Sequence, residues 1–138
     1  MPITPIIPIE LMMLAFSVAL LFVLVLIQAT AGVAAQGAIT MANARDNLGE
    51  PSVWQARTKR CVDNHREGLI MFAPLVLIAA QLDVSNWMTI LGAQMFFYSR
   101  VAHAAVYLAG LPLIRPLIWL VGLIGTVMIF LALFGIGV

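Results

Sequence analysis

The sequence predicts an all-α integral membrane protein that folds as a single four-helix bundle. Hydrophobic residues make up 63% of the 138 residues and charged residues only 9%, whereas a soluble domain carries roughly 25% charged residues. Two stretches, residues 11–44 and 116–138, are uncharged over at least the roughly 20 residues that a membrane-spanning helix needs. The chain lacks the alternation over about 10 residues that a membrane β-barrel would show. These observations predict one membrane domain covering residues 1–138.

The first predicted helix covers residues 9–34, because this stretch carries no charge beyond its first turn. Pro2, Pro5 and Pro8 are expected to keep the preceding chain extended. No Lys or Arg precedes the apolar run, which is longer than the roughly 7–15 residues of a signal sequence, so we expect it to remain as a span. Residues 36–53 are polar, contain Gly, Asn and Pro, and are predicted to form a loop.

Three further helices are predicted over residues 56–82, 87–108 and 116–134. The uncharged part of the second helix, residues 56–82, is too short to cross a membrane, so this helix must begin before Glu67. This places Glu67 at or inside the membrane boundary. A short polar turn separates the second and third helices, and the sequence Gly-Leu-Pro at 110–112 ends the third.

The basic residues predict the orientation of the bundle. Arg115 lies between the third and fourth helices, and the turn between the second and third contains an Asp but no Lys or Arg. The remaining loop and the start of the second helix carry Arg45, Arg57, Lys59, Arg60 and Arg66. The positive-inside rule therefore places both basic loops in the cytoplasm and both termini outside it. Membrane lipid is an expected partner and nucleic acid is not, because no basic stripe with interleaved aromatic residues is present.

Two strings of polar residues interrupt the apolar helices. The first, at positions i, i+4 and i+7 of the second helix, consists of Arg60, Asn64 and Glu67. The second, at positions i, i+3 and i+7 of the third helix, consists of Arg100, His103 and Tyr107. Each string occupies one helical face. Because the two helices are antiparallel, both strings and Arg115 are expected near the cytoplasmic end, where they could form one pocket.

Such a pocket would suit a small zwitterion that carries carboxylates. Arginine binds carboxylates through a fixed fork of donors and stays protonated when partly desolvated. Glu67 could accept from a ligand ammonium, Asn64 can donate and accept, and Tyr107 can donate to a developing anion. Ionisable groups are costly inside a membrane, which makes these residues functional candidates.

Structural roles remain open for the same residues. Glu67 and Arg100 could pair with each other and fix helix packing, and His103 could bond a neighbouring carbonyl. Tyr107 could belong to the interfacial aromatic belt, and the arginine of the first string could anchor the helix at lipid headgroups. Cys61 is expected to be structural and inert. No spacing of Cys and His predicts a metal site.

Residues 57–67, RTKRCVDNHRE, resemble the second-helix signature of the MAPEG family, the membrane-associated proteins of eicosanoid and glutathione metabolism. Residues 100–108, RVAHAAVYL, followed by Pro112 and Arg115, resemble that family's third-helix signature and the loop after it. Order, spacing and four-span topology agree over nearly the whole chain. The resemblance is to a bacterial branch of the family, which implies a location in the bacterial inner membrane.

The resemblance implies a homotrimer with glutathione bound in a cytoplasm-facing pocket between neighbouring subunits. The residues that it implies as glutathione ligands are Arg60, Asn64, Glu67, His103, Tyr107 and Arg115. It also places Arg100 close to the thiol, which makes Arg100 and Arg115 the implied catalytic residues. Adjacent cations favour the thiolate over a thiol whose ordinary pKa is about 8.5. The implied activity is that of a transferase or peroxidase acting on hydrophobic small-molecule electrophiles.

The chain departs from the family pattern at three places. Asp63 stands where eicosanoid-type members carry a basic residue, and its charge would repel a glutathione carboxylate unless Arg60 or Arg66 neutralises it. The first helix has only glutamines where some members have an arginine, and Pro116 replaces a serine. These departures leave open a second function, a non-catalytic membrane protein that binds a lipid headgroup or another small anion in the same pocket. A transporter is disfavoured, because the first and last helices carry no midplane charge.

Overall fold

The structure, a computed structural model, describes residues 6–138. This part of the chain forms five helices, which are α1 (Ile9–Gln36), α2 (Ala38–Ala42), α3 (Val53–Gln81), α4 (Trp87–Ala109) and α5 (Arg115–Leu133). The predicted all-α class is confirmed. The helix number differs from the predicted four, because the short α2 lies in the segment that the sequence predicts as a loop. The extended segment predicted around Pro2 and Pro5 lies outside the described residues.

Two glycines explain why α2 forms beside α1. Gly37 has φ +89°, a conformation that favours glycine, and it ends α1 directly after Gln36. A Cβ atom at Gly32 would lie 2.8 Å from the Met41 methyl carbon, so the Met41 side chain of α2 packs closely on α1 at this glycine. The loop that follows is held by the Gln36 amide, which donates to the Gly49 carbonyl at 3.2 Å and accepts from the Gly49 N–H at 3.1 Å.

Side-chain caps mark the starts of α3 and α4. The Ser52 hydroxyl accepts from the Gln55 N–H at 3.0 Å. Asn86 accepts from the Thr89 N–H, and the Thr89 hydroxyl accepts from the Asn86 N–H, which completes a capping box. Gly110 ends α4 in the left-handed conformation that glycine adopts without steric cost. These local signals fix where the two polar helices begin and end.

The four long helices share one apolar core. Its centre contains Met13 of α1, Phe72 of α3, Phe96 of α4 and Ile129 of α5. The rings of Phe72 and Phe96 stack with their centroids 3.9 Å apart. A second buried cluster, formed by α1, α3 and α4, includes the free Cys61, which is 1% exposed. The core therefore holds α3 and α4, which carry the polar strings, against α1.

The outside of the bundle is unusually apolar. Large hydrophobic side chains such as Phe22, Ile70 and Leu117 are about two-thirds exposed. Soluble monomers rarely expose apolar patches of more than a few hundred Å². Within residues 6–138, α1 and α5 are the two helices that are long and apolar enough to cross a membrane, by length and composition. Helices α3 and α4 are less apolar than α1 and α5, because they carry the polar strings.

Helix α5 makes its most extensive contact with α4, at a crossing built from two glycines. A Cβ atom at Gly92 would lie 2.5 Å from the Gly125 carbonyl oxygen, so no larger residue fits without a backbone shift. Small residues permit this close approach of backbones in membrane helix pairs. The crossing holds α5 in place and therefore positions Arg115 at the start of α5.

Glu10, at the start of α1, is a buried carboxylate that the sequence did not single out. It is 5% exposed and accepts from the Ser85 hydroxyl at 2.7 Å and the Thr89 hydroxyl at 2.6 Å. Its two partners lie 75 and 79 residues away along the chain. The carboxylate therefore ties the start of α1 to the α3–α4 turn, at the end of the bundle opposite the polar strings.

Candidate functional site

A cleft of about 270 Å³ lies where α3, the last turns of α4 and the start of α5 meet. The side chains that line it are Arg60, Asp63, Asn64, Glu67, Tyr107 and Arg115. Five of these are residues that the sequence predicts for the site, and Asp63 is the sixth. Three separate helices therefore contribute to one polar surface at one end of the bundle.

The Tyr107 ring is the meeting point of two guanidinium groups. The guanidinium carbon of Arg115 lies 5.4 Å from the ring centroid, and that of Arg60 lies 6.0 Å from it. Cations at such distances are attracted by the negative face of the ring. The ring is held from behind by His103, which stacks on it at a centroid distance of 5.7 Å. Tyr107 thus brings two positive charges together without neutralising either.

The carboxylate of Asp63 is paired on both oxygens. Lys59 lies 2.8 Å from one oxygen and Arg66 lies 2.8 Å from the other. The sequence offered Arg60 or Arg66 as neutralising partners, and the structure assigns the role to Arg66 together with Lys59. Exposed pairs of this kind add little stability, but they surround Asp63 with positive charge. Arg60 is left facing the cleft.

Arg100 lies inside the bundle, behind the wall of the cleft. It is 3% exposed, and its guanidinium donates to the Asn64 side-chain oxygen at 2.7 Å. Gly68 makes the room, since a Cβ atom there would lie 2.7 Å from the guanidinium. Among the described residues Arg100 forms no ion pair with Glu67 within 4.0 Å, so the alternative in which these two residues pair is wrong.

The contact between Arg100 and Asn64 determines how the Asn64 amide is oriented. A guanidinium can only donate hydrogen bonds, so the amide oxygen must face it. The NH₂ group of Asn64 is then directed away from Arg100 and is available at the cleft. Arg100 therefore acts on the cleft through Asn64.

Three buried nitrogens behind the cleft have no hydrogen-bond partner among the described residues. They are Nδ1 of His65, Nε of Arg100 and Nε2 of His103. The other ring nitrogen of His65 lies 2.8 Å from the Ser17 carbonyl oxygen. Buried polar atoms normally have a hydrogen-bond partner, so three buried nitrogens without one are unusual in so small a region. A hydrogen bond from His103 to a neighbouring carbonyl was the structural role that the sequence left open. Nε2 of His103 makes no such bond.

Arg57 is a residue at this end of the bundle whose contact the sequence did not predict. Its guanidinium approaches the Leu108 carbonyl at 3.5 Å, and a Cβ atom at Gly110 would lie 2.8 Å from it. Cations near the last carbonyls of a helix are favourable. The contact ties the start of α3 to the end of α4, which keeps the Tyr107 side of the cleft close to the α3 side.

The described part of the chain contains no group of three or more His, Cys, Asp or Glu side chains that could hold a metal ion. The side chains that line the cleft offer two guanidinium groups, an amide, a phenol and the carboxylates of Glu67 and Asp63. Such a set can bind a small molecule with anionic groups and one ammonium.

Comparison with protein families gives a match over nearly the whole chain. The sequence model of the MAPEG family matches residues 11–135. This region contains all five helices except the first two residues of α1, and it contains every residue that lines the cleft. Neither the search of curated proteins nor the search of solved structures gives a match.

Proposed function

The chain belongs to the MAPEG family, and we propose that it is a membrane-bound, glutathione-dependent transferase or peroxidase that acts on hydrophobic electrophiles. Membership makes it a membrane protein of the family of eicosanoid and glutathione metabolism. The observation that carries the proposal is the contact of Arg60 and Arg115 with the Tyr107 ring, beside Asn64 and Glu67. This cleft offers groups of the right charge for a tripeptide zwitterion.

We further propose that α1, α3, α4 and α5 all cross the bacterial inner membrane and that both termini lie outside the cytoplasm. The 29 residues of α3 and the 23 of α4 are long enough for this, since a span needs about 20 residues. The concentration of arginine at the cleft end of the bundle favours the cytoplasm for that end. Three copies of the chain would form a homotrimer, in which each open cleft faces a neighbouring subunit.

The side chains of the cleft suit the polar groups of glutathione. Arg60 can bind one of its carboxylates. Glu67 forms no ion pair among residues 6–138, so its carboxylate is available for the ammonium. The NH₂ group of Asn64, held outward by Arg100, can donate to a peptide carbonyl. The paired state of Asp63 removes most of the repulsion that its charge would cause.

Glutathione, when bound, would supply a thiolate nucleophile for attack on the electrophile. The chain would stabilise that anion with Arg115 and with the Tyr107 hydroxyl, which can donate a hydrogen bond to it. Arg115 is also the first residue of α5, where the helix dipole adds positive potential. The displaced thiol proton would leave to water through the open side of the cleft. The resemblance implied Arg100 as a catalytic residue and His103 as a glutathione ligand. Because neither lines the cleft, we propose instead that they position Asn64 and Tyr107 respectively.

Glutathione conjugation by the purified protein in lipid nanodiscs tests the proposal. With chlorodinitrobenzene as the electrophile, the expected result is a thioether formed with release of chloride, at a rate that saturates with glutathione and exceeds the uncatalysed rate. Cumene hydroperoxide tests the peroxidase activity in the same preparation. If the folded protein consumes neither electrophile, and mass spectrometry finds a lipid bound in its cleft, the non-catalytic anion-binding function replaces the proposed one.

A further inference from the structure

A second and larger cavity lies next to the cleft. It has a volume of about 610 Å³ and is enclosed by α1, α2, the loop after α2 and the start of α3. Small-molecule sites typically have volumes of roughly 300–1,000 Å³. One part of its wall is apolar and comes from Val25, Ala29, Met41 and Leu48. Val25 is 44% exposed, so the apolar part continues onto the outer surface of α1.

The other part of the wall is positively charged. Arg45, Lys59 and Arg60 line the cavity, and no Asp or Glu does. Lys59 is paired with Asp63, which leaves the charges of Arg45 and Arg60 without a carboxylate partner among the described residues. Uncompensated cations in a partly enclosed space attract anions.

Arg45 is an exposed residue whose side chain bonds the end of α2. The residue has φ +65°, which is uncommon for a side chain of this size. In this conformation the guanidinium reaches back to the end of α2 and donates to the Met41 carbonyl at 2.8 Å. The guanidinium has further donors that this bond does not use. Arg45 is therefore held at the cavity with free hydrogen-bonding capacity.

An amide on α1 adds a polar group to the same cavity. Gln28 is half-buried and makes no side-chain hydrogen bond within residues 6–138. The two other glutamines of the wall, Gln36 and Gln55, bond each other at 3.2 Å. A polar side chain on an apolar helix is costly unless it has a partner. Gln28 thus adds an amide without a side-chain partner to the wall of this cavity.

We propose that this cavity binds an anionic amphiphile, with a carboxylate or phosphate head at Arg45 and Arg60 and an acyl chain along Val25 and Ala29. Gln28 would donate to the head from the α1 side. Such a molecule could be a free fatty acid or a phospholipid of the surrounding membrane, which share this chemistry. Arg60 lines both the cavity and the cleft, so the ligand would act on the cleft through that residue. The proposal does not depend on glutathione binding, because it rests on the cavity alone.

Binding of cis-parinaric acid, measured by its fluorescence with the full-length protein in detergent, tests the proposal. We expect wild type to bind the acid, its methyl ester to bind at least about tenfold more weakly, and Arg45→Ala to weaken binding of the acid about tenfold, since one charge-assisted contact is worth about 1.4 kcal/mol or more. Ala29→Phe adds a large side chain to the apolar wall and keeps all charges. It should abolish binding of the acid. Arg66→Ala removes an arginine that does not line the cavity and should bind as wild type does.

Equal affinities of Arg45→Ala and Arg66→Ala for the acid, or equal affinities of wild type for the acid and the ester, would overturn the proposal. Native mass spectrometry of protein extracted from membranes identifies the source of the ligand. A bound phospholipid or a bound fatty acid that is depleted in Arg45→Ala supports the proposal and names the source. An anionic lipid retained equally by Arg45→Ala, or only neutral lipid on wild type, contradicts it.

Discussion

Arg115→Ala should lower kcat/KM for glutathione conjugation by about 100-fold, the loss typical of removing one donor that stabilises a developing anion. Arg115 is exposed at the cleft and contacts the Tyr107 ring, so its removal takes away charge without opening the core. The fall should appear mainly in kcat if the arginine stabilises the thiolate in the transition state. Stopped-flow conjugation of chlorodinitrobenzene, over a range of glutathione concentrations, measures both constants.

Two further variants make the test specific. Arg115→Lys keeps the charge but loses the planar fork, so it should recover part of the rate. Arg66→Ala removes a guanidinium that is 60% exposed and lies outside the cleft lining, while Asp63 keeps its contact with Lys59. Its loss of activity should be much smaller than that of Arg115→Ala, because Asp63 stays paired with Lys59. An Arg115→Ala enzyme whose activity stays within twofold of wild type would remove Arg115 from the catalytic role.

Gly125→Val should destabilise the fold by about 3 kcal/mol, at the upper end of the cost of overpacking a tight core. A Cβ atom at this position meets the Gly92 carbonyl, which is backbone and cannot move out of the way as a flexible side chain can. Helix α5 would have to move away from α4. Thermal unfolding in detergent, followed by circular dichroism, should show a clear fall in Tm.

A graded series checks that packing causes the effect. Gly125→Ala should lower Tm less than Gly125→Val, because it adds less volume at the same contact. Val127→Ile adds a methylene on the exposed face of the same helix and should leave Tm unchanged within error. If Gly125→Val and Val127→Ile unfold at the same temperature, the close α4–α5 crossing does not exist in the protein.

Local sequence signals were enough to predict most of the fold. Low charge and long apolar runs predicted the all-α class, and the polar turn and the Gly-Leu-Pro sequence correctly separated the later helices. The short α2 was missed because the Gly, Asn and Pro residues of its segment predict a loop, whereas α2 packs on α1 through a contact of Met41 with Gly32. That contact joins residues of different helices, and no period in the sequence reports it.

The candidate site was also predicted only in part: local spacing was predictable and contacts between helices were not. Helical spacing predicted that Arg60, Asn64 and Glu67 share a face, and the structure places all three at the cleft. Spacing put Arg100 on a face with Tyr107 but could not show its depth. Arg100 enters the interior because Gly68 on the facing helix leaves space for the guanidinium. Burial of this kind depends on a neighbour's missing side chain, which a single helix does not reveal.

Long-range polar contacts were the least predictable features. Glu10 looked like a charge at the end of an apolar run, and its role became visible only with the Ser85 and Thr89 hydroxyls in place. Arg57 looked like a topology signal and turned out to contact the end of α4 at Leu108. The neutralisation of Asp63 was predicted in part, because the sequence offered Arg66 but not Lys59 as a partner.

Calorimetric titration of the detergent-solubilised protein tests the central claim, that glutathione binds in the cleft with its ammonium at Glu67. Wild type should bind glutathione at millimolar concentrations or below. N-acetylglutathione, which lacks the ammonium, should bind wild type about tenfold more weakly, since an ion contact of this kind is worth about 1.4 kcal/mol. Glu67→Gln should bind both ligands with the same weak affinity, because the two changes remove one contact. No heat of binding to wild type at millimolar glutathione, or undiminished discrimination between the two ligands in Glu67→Gln, would contradict the claim.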